Sequence, residues 1–101
     1  MSTNEIRAQV FKAISDPTRL EIIEFLKDGE KCQCEIHPEL EKSQSTISQH
    51  LKILIECGIL EMRRDGQKKM YSIKELEILR MLELSDEIIT KHIQTRYAGH
   101  I

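Results

Sequence analysis

At 101 residues with a formal net charge of −2, the chain supports one modest core and gives no global positive charge with which to hold nucleic acid. Aromatic residues make up 4 % of it and Trp is absent, so Ile, Leu and Met must fill that core. No apolar run approaches the ~18 residues of a membrane span, the opening Met-Ser-Thr-Asn-Glu-Ile-Arg is polar, and three cysteines argue against a structural disulfide framework, so a cytoplasmic protein with no membrane partner is expected.

Residues 4–14 suggest a first helix, with Ile6, Val10 and Ile14 at i, i+4 and i+8. Asp16-Pro17 opens a second, because Asp is a strong N-cap and Pro is tolerated at the first helical position; Leu20, Ile23 and Leu26 form its inner face and Asp28-Gly29 ends it. Residues 32–41, Cys-Gln-Cys-Glu-Ile-His-Pro-Glu-Leu-Glu, read as a shorter helical segment that His37-Pro38 is expected to break or kink. Cys34 and His37 are i, i+3 neighbours there. Cys32 and Cys34 stand about 200° apart on a regular helix and meet only if its first turn is distorted, which the nearby Gly29 permits.

Residues 43–58 give the clearest helix. Ile47, Leu51, Leu54 and Ile55 share one face, Ser43 is a good N-cap, and Gly58 stands where a left-handed C-cap residue is wanted. The opposite arc carries Ser45, Ser48, Gln49 and Lys52, short or neutral donors and acceptors with one cation, in place of the usual Glu/Lys mixture. Such a face can approach base edges and phosphates without a repulsive group between.

Next come two strand-like runs about Asp65-Gly66, a pair suited to the centre of a type I′ hairpin turn, with Arg63, Arg64, Lys68 and Lys69 around the tip. The alternative reading of those cations is protection of an edge strand. Residues 74–97 then form a closing helix on which Ile78, Leu79, Met81, Leu82, Leu84, Ile88, Ile89 and Ile93 cover an arc of roughly 200°. That is wider than one small domain can bury, so a homodimer through residues 4–14 and 74–97 is expected.

The charge is unevenly spread. Residues 1–41 hold 5 basic and 9 acidic side chains, residues 42–69 hold 6 and 3, and residues 70–101 hold 4 and 5. The positive excess therefore lies on the polar-faced helix and the hairpin. A reading helix followed at once by a basic hairpin is the layout of a winged helix-turn-helix, mainly α with a small β-hairpin, here a single domain over 1–101. Ser45, Ser48 and Gln49 are expected to read bases in a double-stranded operator. Gln44 and Thr46 would fix the helix on the backbone, Lys52 shares the outward arc, and Arg63, Arg64, Lys68 and Lys69 would contact phosphate.

Asp16-Pro17-Thr18-Arg19-Leu20, Ser43-Gln-Ser-Thr-Ile-Ser-Gln-His-Leu51, Gly58-Ile-Leu and Arg64-Asp-Gly-Gln-Lys-Lys-Met-Tyr71 together resemble the ArsR/SmtB family, over nearly the whole chain and in the right order. The resemblance implies a small homodimeric winged-helix transcriptional repressor. It also implies that Cys32 and Cys34 are effector ligands, as in the arsenic- and cadmium-sensing members, whose corresponding helix bears Cys-x-Cys. The arsenic-sensing pattern has a further Cys where this chain has His37, which shifts the expectation from As(III) toward a borderline ion or thiol oxidation. Thiolates suit As, Cd, Pb, Zn or Cu ions. No cofactor is required by this reading, and an ion would act as effector. The zinc pattern on the family's closing helix is not matched, since Asp86 is followed two residues later by Ile88.

No enzyme signature is present: there is no glycine-rich phosphate loop, His-Glu-x-x-His or nucleophile elbow. Three alternatives stay open. Cys32 and Cys34 can be merely small residues at a helix start, the protein can be a winged-helix regulator without metal sensing, or it can be a protein-interaction module on the same fold.

Overall fold

The computed structural model describes residues 1–96, which run α1 (Thr3–Ile14), α2 (Pro17–Leu26), β1 (Lys31–Cys32), α3 (Gln33–Glu39), α4 (Gln44–Glu56), β2 (Leu60–Asp65), β3 (Lys68–Ile73) and α5 (Glu77–Arg96). Short polar side chains decide where the helices begin. Ser2 Oγ accepts from the Glu5 amide at 3.1 Å, Asp16 Oδ2 from Arg19 at 3.0 Å, and Ser43 Oγ from Thr46 at 3.1 Å. Each satisfies one of the amides that a helix start leaves unpaired.

The ends of α4 and α3 use positive φ. Gly58 (φ +83°) lets its own amide reach Ile55 O and the Ile59 amide reach Leu54 O, both at 3.0 Å, while Leu54 and Ile59 are both buried. Glu41 (φ +55°) makes the equivalent turn after α3, with Glu41 N on Pro38 O and Lys42 N on His37 O at 3.1 Å. This is the tight turn that sets α3 against α4.

Ile22, Ile23 and Leu26 of α2, Ile36 of α3, and Ile47, Leu51 and Leu54 of α4 close the core with Ile59, Leu60, Tyr71 and Ile78. Burial of the α4 face, at ~1.5–3 kcal/mol per large aliphatic side chain, holds that helix so that its polar arc points outward. Ile22 rather than Leu20 completes the inner face of α2, Leu20 being only half-buried.

Three local expectations are corrected. The wing is not a lone hairpin: the sheet has three strands in the order β1-β3-β2, with Lys31 opposite Tyr71 and Cys32 opposite Met70. Its turn is centred on Gly66-Gln67, since Asp65 pairs with Lys68, and Gly66 alone has positive φ (+64°). That is the pattern of a turn with Gly first, not of a type I′ Asp-Gly centre. The register places Leu60 opposite Ile73 and Met62 opposite Tyr71, so these side chains share one face of the sheet, buried at Leu60 and Tyr71 and exposed at Met62, and a one-residue slip would turn one strand's set to the other face. Finally, α3 passes through His37-Pro38 unbroken. Pro38 lies in the last turn of a seven-residue helix, where it forfeits a single intrahelical bond.

The expected wide apolar arc is divided. Ile78 is buried and Leu79, Met81 and Leu82 pack on the core, whereas Leu84, Ile88 and Ile89 are 43 %, 68 % and 48 % exposed. On α1, Ile6 and Phe11 are 50 % and 53 % exposed, whereas Val10 is half-buried and Ile14 packs on the core, so the expected stripe is covered only toward the end of the helix. The expected closing helix ran to residue 97, which lies outside the described residues. No helix among the described residues is long and apolar enough to cross a membrane.

Candidate DNA-reading face and thiol pair

With Ile47, Leu51 and Leu54 turned inward, α4 presents Gln44, Ser45, Ser48, Gln49 and Lys52 as exposed side chains and Thr46 as a half-buried one. Ser43 Oγ donates to Thr46 Oγ1 at 2.9 Å and lies 3.3 Å from Ser45 Oγ, so the first turn is knitted to its cap. The free amides at this end favour an anion such as a DNA phosphate.

His50, on the border of the apolar face, is tied inward. Arg19 Nη1 lies 3.1 Å from His50 Nδ1, Arg19 Nε donates to Ala13 O at 2.6 Å, and Asp16 Oδ2 is 3.9 Å from the same imidazole nitrogen. A guanidinium only donates, so in this contact the imidazole nitrogen accepts. The Asp16 carboxyl is held below its ordinary range, chiefly by the Arg19 backbone amide and further by His50 and the Arg19 charge, against partial burial. One arginine thus joins the end of α1 and the start of α2 to α4.

On the wing, Arg64, Lys68 and Lys69 are exposed. Arg63 is exposed too, but its Nε and Nη2 donate to both Glu30 carboxylate oxygens at 2.7 and 2.6 Å. An exposed pair of this kind adds little to stability. Its consequence is electrostatic, because Glu30 competes with any phosphate for Arg63. Glu30→Gln is expected to raise affinity for every duplex and to steepen the log–log salt dependence by up to ~0.9; an unchanged slope would show that Arg63 never meets the DNA backbone.

The two expected effector cysteines come together. Cys32 lies outside the helix, in β1, with the extended backbone of an N-cap (φ −70°, ψ 144°), and this removes the angular separation that a regular helix would impose. Its Sγ accepts from the Cys34 amide at 3.1 Å, and its own amide donates to Glu35 Oε1 at 3.3 Å. The sulfurs are joined as a disulfide with Cα atoms 5.0 Å apart, a single bridge across two positions that makes no structural framework. Cys57, half-buried, is the free cysteine, and its thiol meets Leu54 O at 3.4 Å.

Cys32, Cys34 and His37 line one cavity of about 330 Å³ with Ser48, Lys68 and Lys69. Among the described residues no three His, Cys, Asp or Glu side chains are grouped closely enough to hold a metal ion, so the expected set of Cys32, Cys34 and His37 is not assembled while the sulfurs are bound to each other. Opened by reduction, the pair offers two adjacent thiolates, a donor set that fits a thiophilic ion.

A residue that periodicity does not reveal lies between the cysteines. Gln33 is the buried polar side chain of the core region, 9 % exposed; its Nε2 donates to Ser48 Oγ on α4, and its Oε1 accepts from Tyr71 on β3 at 3.4 Å. Burial pushes the Tyr71 phenol up, with Arg64 acting against it. The only hint in the chain is an amide set between two small thiols at a helix start.

Comparison with known proteins adds the following. The family model described as "Bacterial regulatory protein, arsR family" matches residues 16–62. The chain is 42 % identical over 89 residues to an uncharacterized HTH-type transcriptional regulator of Methanocaldococcus jannaschii, covering 87 % of this chain and 100 % of that one. It is 38 % identical over 73 residues to the arsenical resistance operon repressor of Staphylococcus xylosus, covering 72 % and 69 %. The solution structure of a homodimeric winged helix-turn-helix DNA-binding domain of Mycobacterium bovis, described as a possible ArsR-family transcriptional regulator, superposes with a TM-score of 0.80 at 27 % identity, covering 91 % of this chain and 85 % of that one.

Proposed function

The chain belongs to the ArsR family of bacterial regulatory proteins, and from that premise we propose that it is a homodimeric repressor that leaves its operator when Cys32 and Cys34 take up a thiophilic ion or are oxidised. The observation that carries the DNA-binding part is the geometry of α4: a buried Ile47, Leu51 and Leu54 face lies opposite an exposed arc of Ser45, Ser48, Gln49 and Lys52, acidic only at its last residue Glu56, and flanked by the basic wing. Ser45, Ser48 and Gln49 read base edges, Gln44 and Thr46 steady the helix, Lys52 and the wing residues Arg63, Arg64, Lys68 and Lys69 meet phosphate. The exposed apolar residues of α1 and α5 form the dimer interface. Two-fold symmetry then spaces the half-sites by about one helical turn, ~10 bp, or a multiple. The protein carries no catalytic function on this reading and acts in the cytoplasm.

The Cys pair would hold the ion, and the soft Lewis acid supplies bonds to thiolate strong enough to compete with the DNA-bound state. This chain's part is to couple that event to α4. Cys32 begins α3, and α3 packs on α4 through Ile36 and Ile47 in the common core. A change in the first turn of α3 therefore reaches the reading helix through direct packing.

Two variants separate helix from wing. Gln49→Ala is expected to cost ~1–3 kcal/mol on the operator and little on random duplex. Arg64→Ala with Lys68→Ala weakens both alike and flattens the salt slope by about one per lost contact. Titrations over a range of salt decide the matter, and equal losses of non-specific binding in both variants would remove α4 as the reading element.

A further inference from the structure

Resting on the reading of Cys32 and Cys34 as the sensor, we propose that Gln33 is the positioning residue that transmits their state to Ser48 on the DNA-reading face. The argument begins with covalent geometry. Any bond or chelate joining residues 32 and 34 closes a small ring that contains the whole backbone of Gln33. Closing or opening that ring turns the peptide units on either side of residue 33, and the Gln33 side chain moves with them.

The side chain is well placed to pass the movement on. A buried amide is costly unless both of its ends are bonded, and Gln33 has both, on Tyr71 and on Ser48. A leucine would fill the same space without that requirement. In the closed-ring form, the released one on that reading, Gln33 Nε2 donates to Ser48 Oγ and holds the hydroxyl toward α3 and away from a base edge. Opening the ring turns Gln33 away, and the freed Ser48 hydroxyl can meet the duplex as donor or acceptor. Tyr71 anchors the other end from β3, the strand that also pairs with Cys32 through Met70. Sensor, amide and reading hydroxyl thus form one connected path.

The test measures operator affinity for wild type, Gln33→Met and Gln33→Glu, each fully reduced, loaded with Cd(II), or treated with diamide. Diamide takes two electrons and two protons from the thiol pair, becomes the hydrazine and leaves the Cys32–Cys34 bond. Sulfur-to-cadmium charge-transfer absorption and the loss of two hydrogen masses report loading and oxidation independently of DNA. Wild type is expected to lose affinity by ~5–150-fold on loading or oxidation. Gln33→Met, which keeps the volume but neither hydrogen bond, takes up Cd(II) and oxidises as wild type does, yet its ratio of affinities falls close to one. Gln33→Glu, able only to accept from Ser48, shows the same loss of response and serves if the Met variant folds poorly.

A merely structural glutamine would give losses additive with Ser48→Ala, whereas transmission through Ser48 leaves the double variant no worse than the worse single one. Additivity, or a full response in both Gln33 variants, overturns the proposal and leaves the sensor reading intact. A wild type that responds to neither reagent overturns the sensor reading, and the proposal falls with it.

Discussion

Ile88→Glu is expected to give a folded monomer whose operator affinity has fallen by about 10²–10⁴, the advantage that joining two binding modules confers. Ile88 is 68 % exposed in the single chain, so the substitution removes no packing within the domain. In a dimer formed on α1 and α5 the same position is covered, and a carboxylate buried there without a partner costs several kcal/mol. Half of the contacts to a symmetric site then vanish. Sedimentation velocity with operator titration checks both halves of the statement. A variant that remains dimeric would place the interface on another surface, and a monomer with undiminished affinity would remove the symmetric operator.

Cys32→Ser combined with Cys34→Ser is expected to bind operator as tightly as the reduced wild type and to ignore Cd(II), As(III), Zn(II) and diamide alike. The fold tolerates the change for a local reason: Cys32 is the N-cap of α3 and accepts from an amide through its side chain, a role that a serine hydroxyl performs better. The response is a different matter. To lower operator affinity by ~5–150-fold, an effector must prefer the released form by about 1–3 kcal/mol. Metal–thiolate bonds, or a disulfide, can supply that preference, and two hydroxyls cannot. Release that survives in the double variant would move the sensor elsewhere, with Cys57 the next thiol to test.

Much of the architecture was legible because it is written in local chemistry. Asp16-Pro17, Ser43 and Gly58 are helix punctuation whose hydrogen bonds act within a few residues, and the apolar spacing of Ile47, Leu51 and Leu54 needs only helical pitch. The wing was legible as a basic hairpin but not in its details. A two-residue β1 is too short to show any period, and its pairing with β3 joins positions about forty apart. The centre of the turn was set by the burial of Leu60, Tyr71 and Ile73 and not by the Asp-Gly pair itself. Glu41 at φ +55° gives no signal, since the usual mark of that conformation is glycine. In the candidate site, the outward arc of α4 followed from periodicity. The Arg63–Glu30 pair and the Tyr71–Gln33–Ser48 path, with partners 33, 38 and 15 positions apart, could come only from the folded chain.

The span of the Cys32–Cys34 bond has one more consequence. Cross-links stabilise proteins largely by restricting the unfolded chain, and the restriction grows with the loop enclosed. Here the bonded residues are separated by two positions, so the enclosed loop is close to the smallest possible and little freedom is removed from the unfolded ensemble. Folding equilibrium is then nearly the same with the sulfurs joined or apart. So is the small fraction of open molecules that proteases can attack, on which degradation depends. Susceptibility to proteolysis through the unfolded form then stays level while the hold on DNA changes.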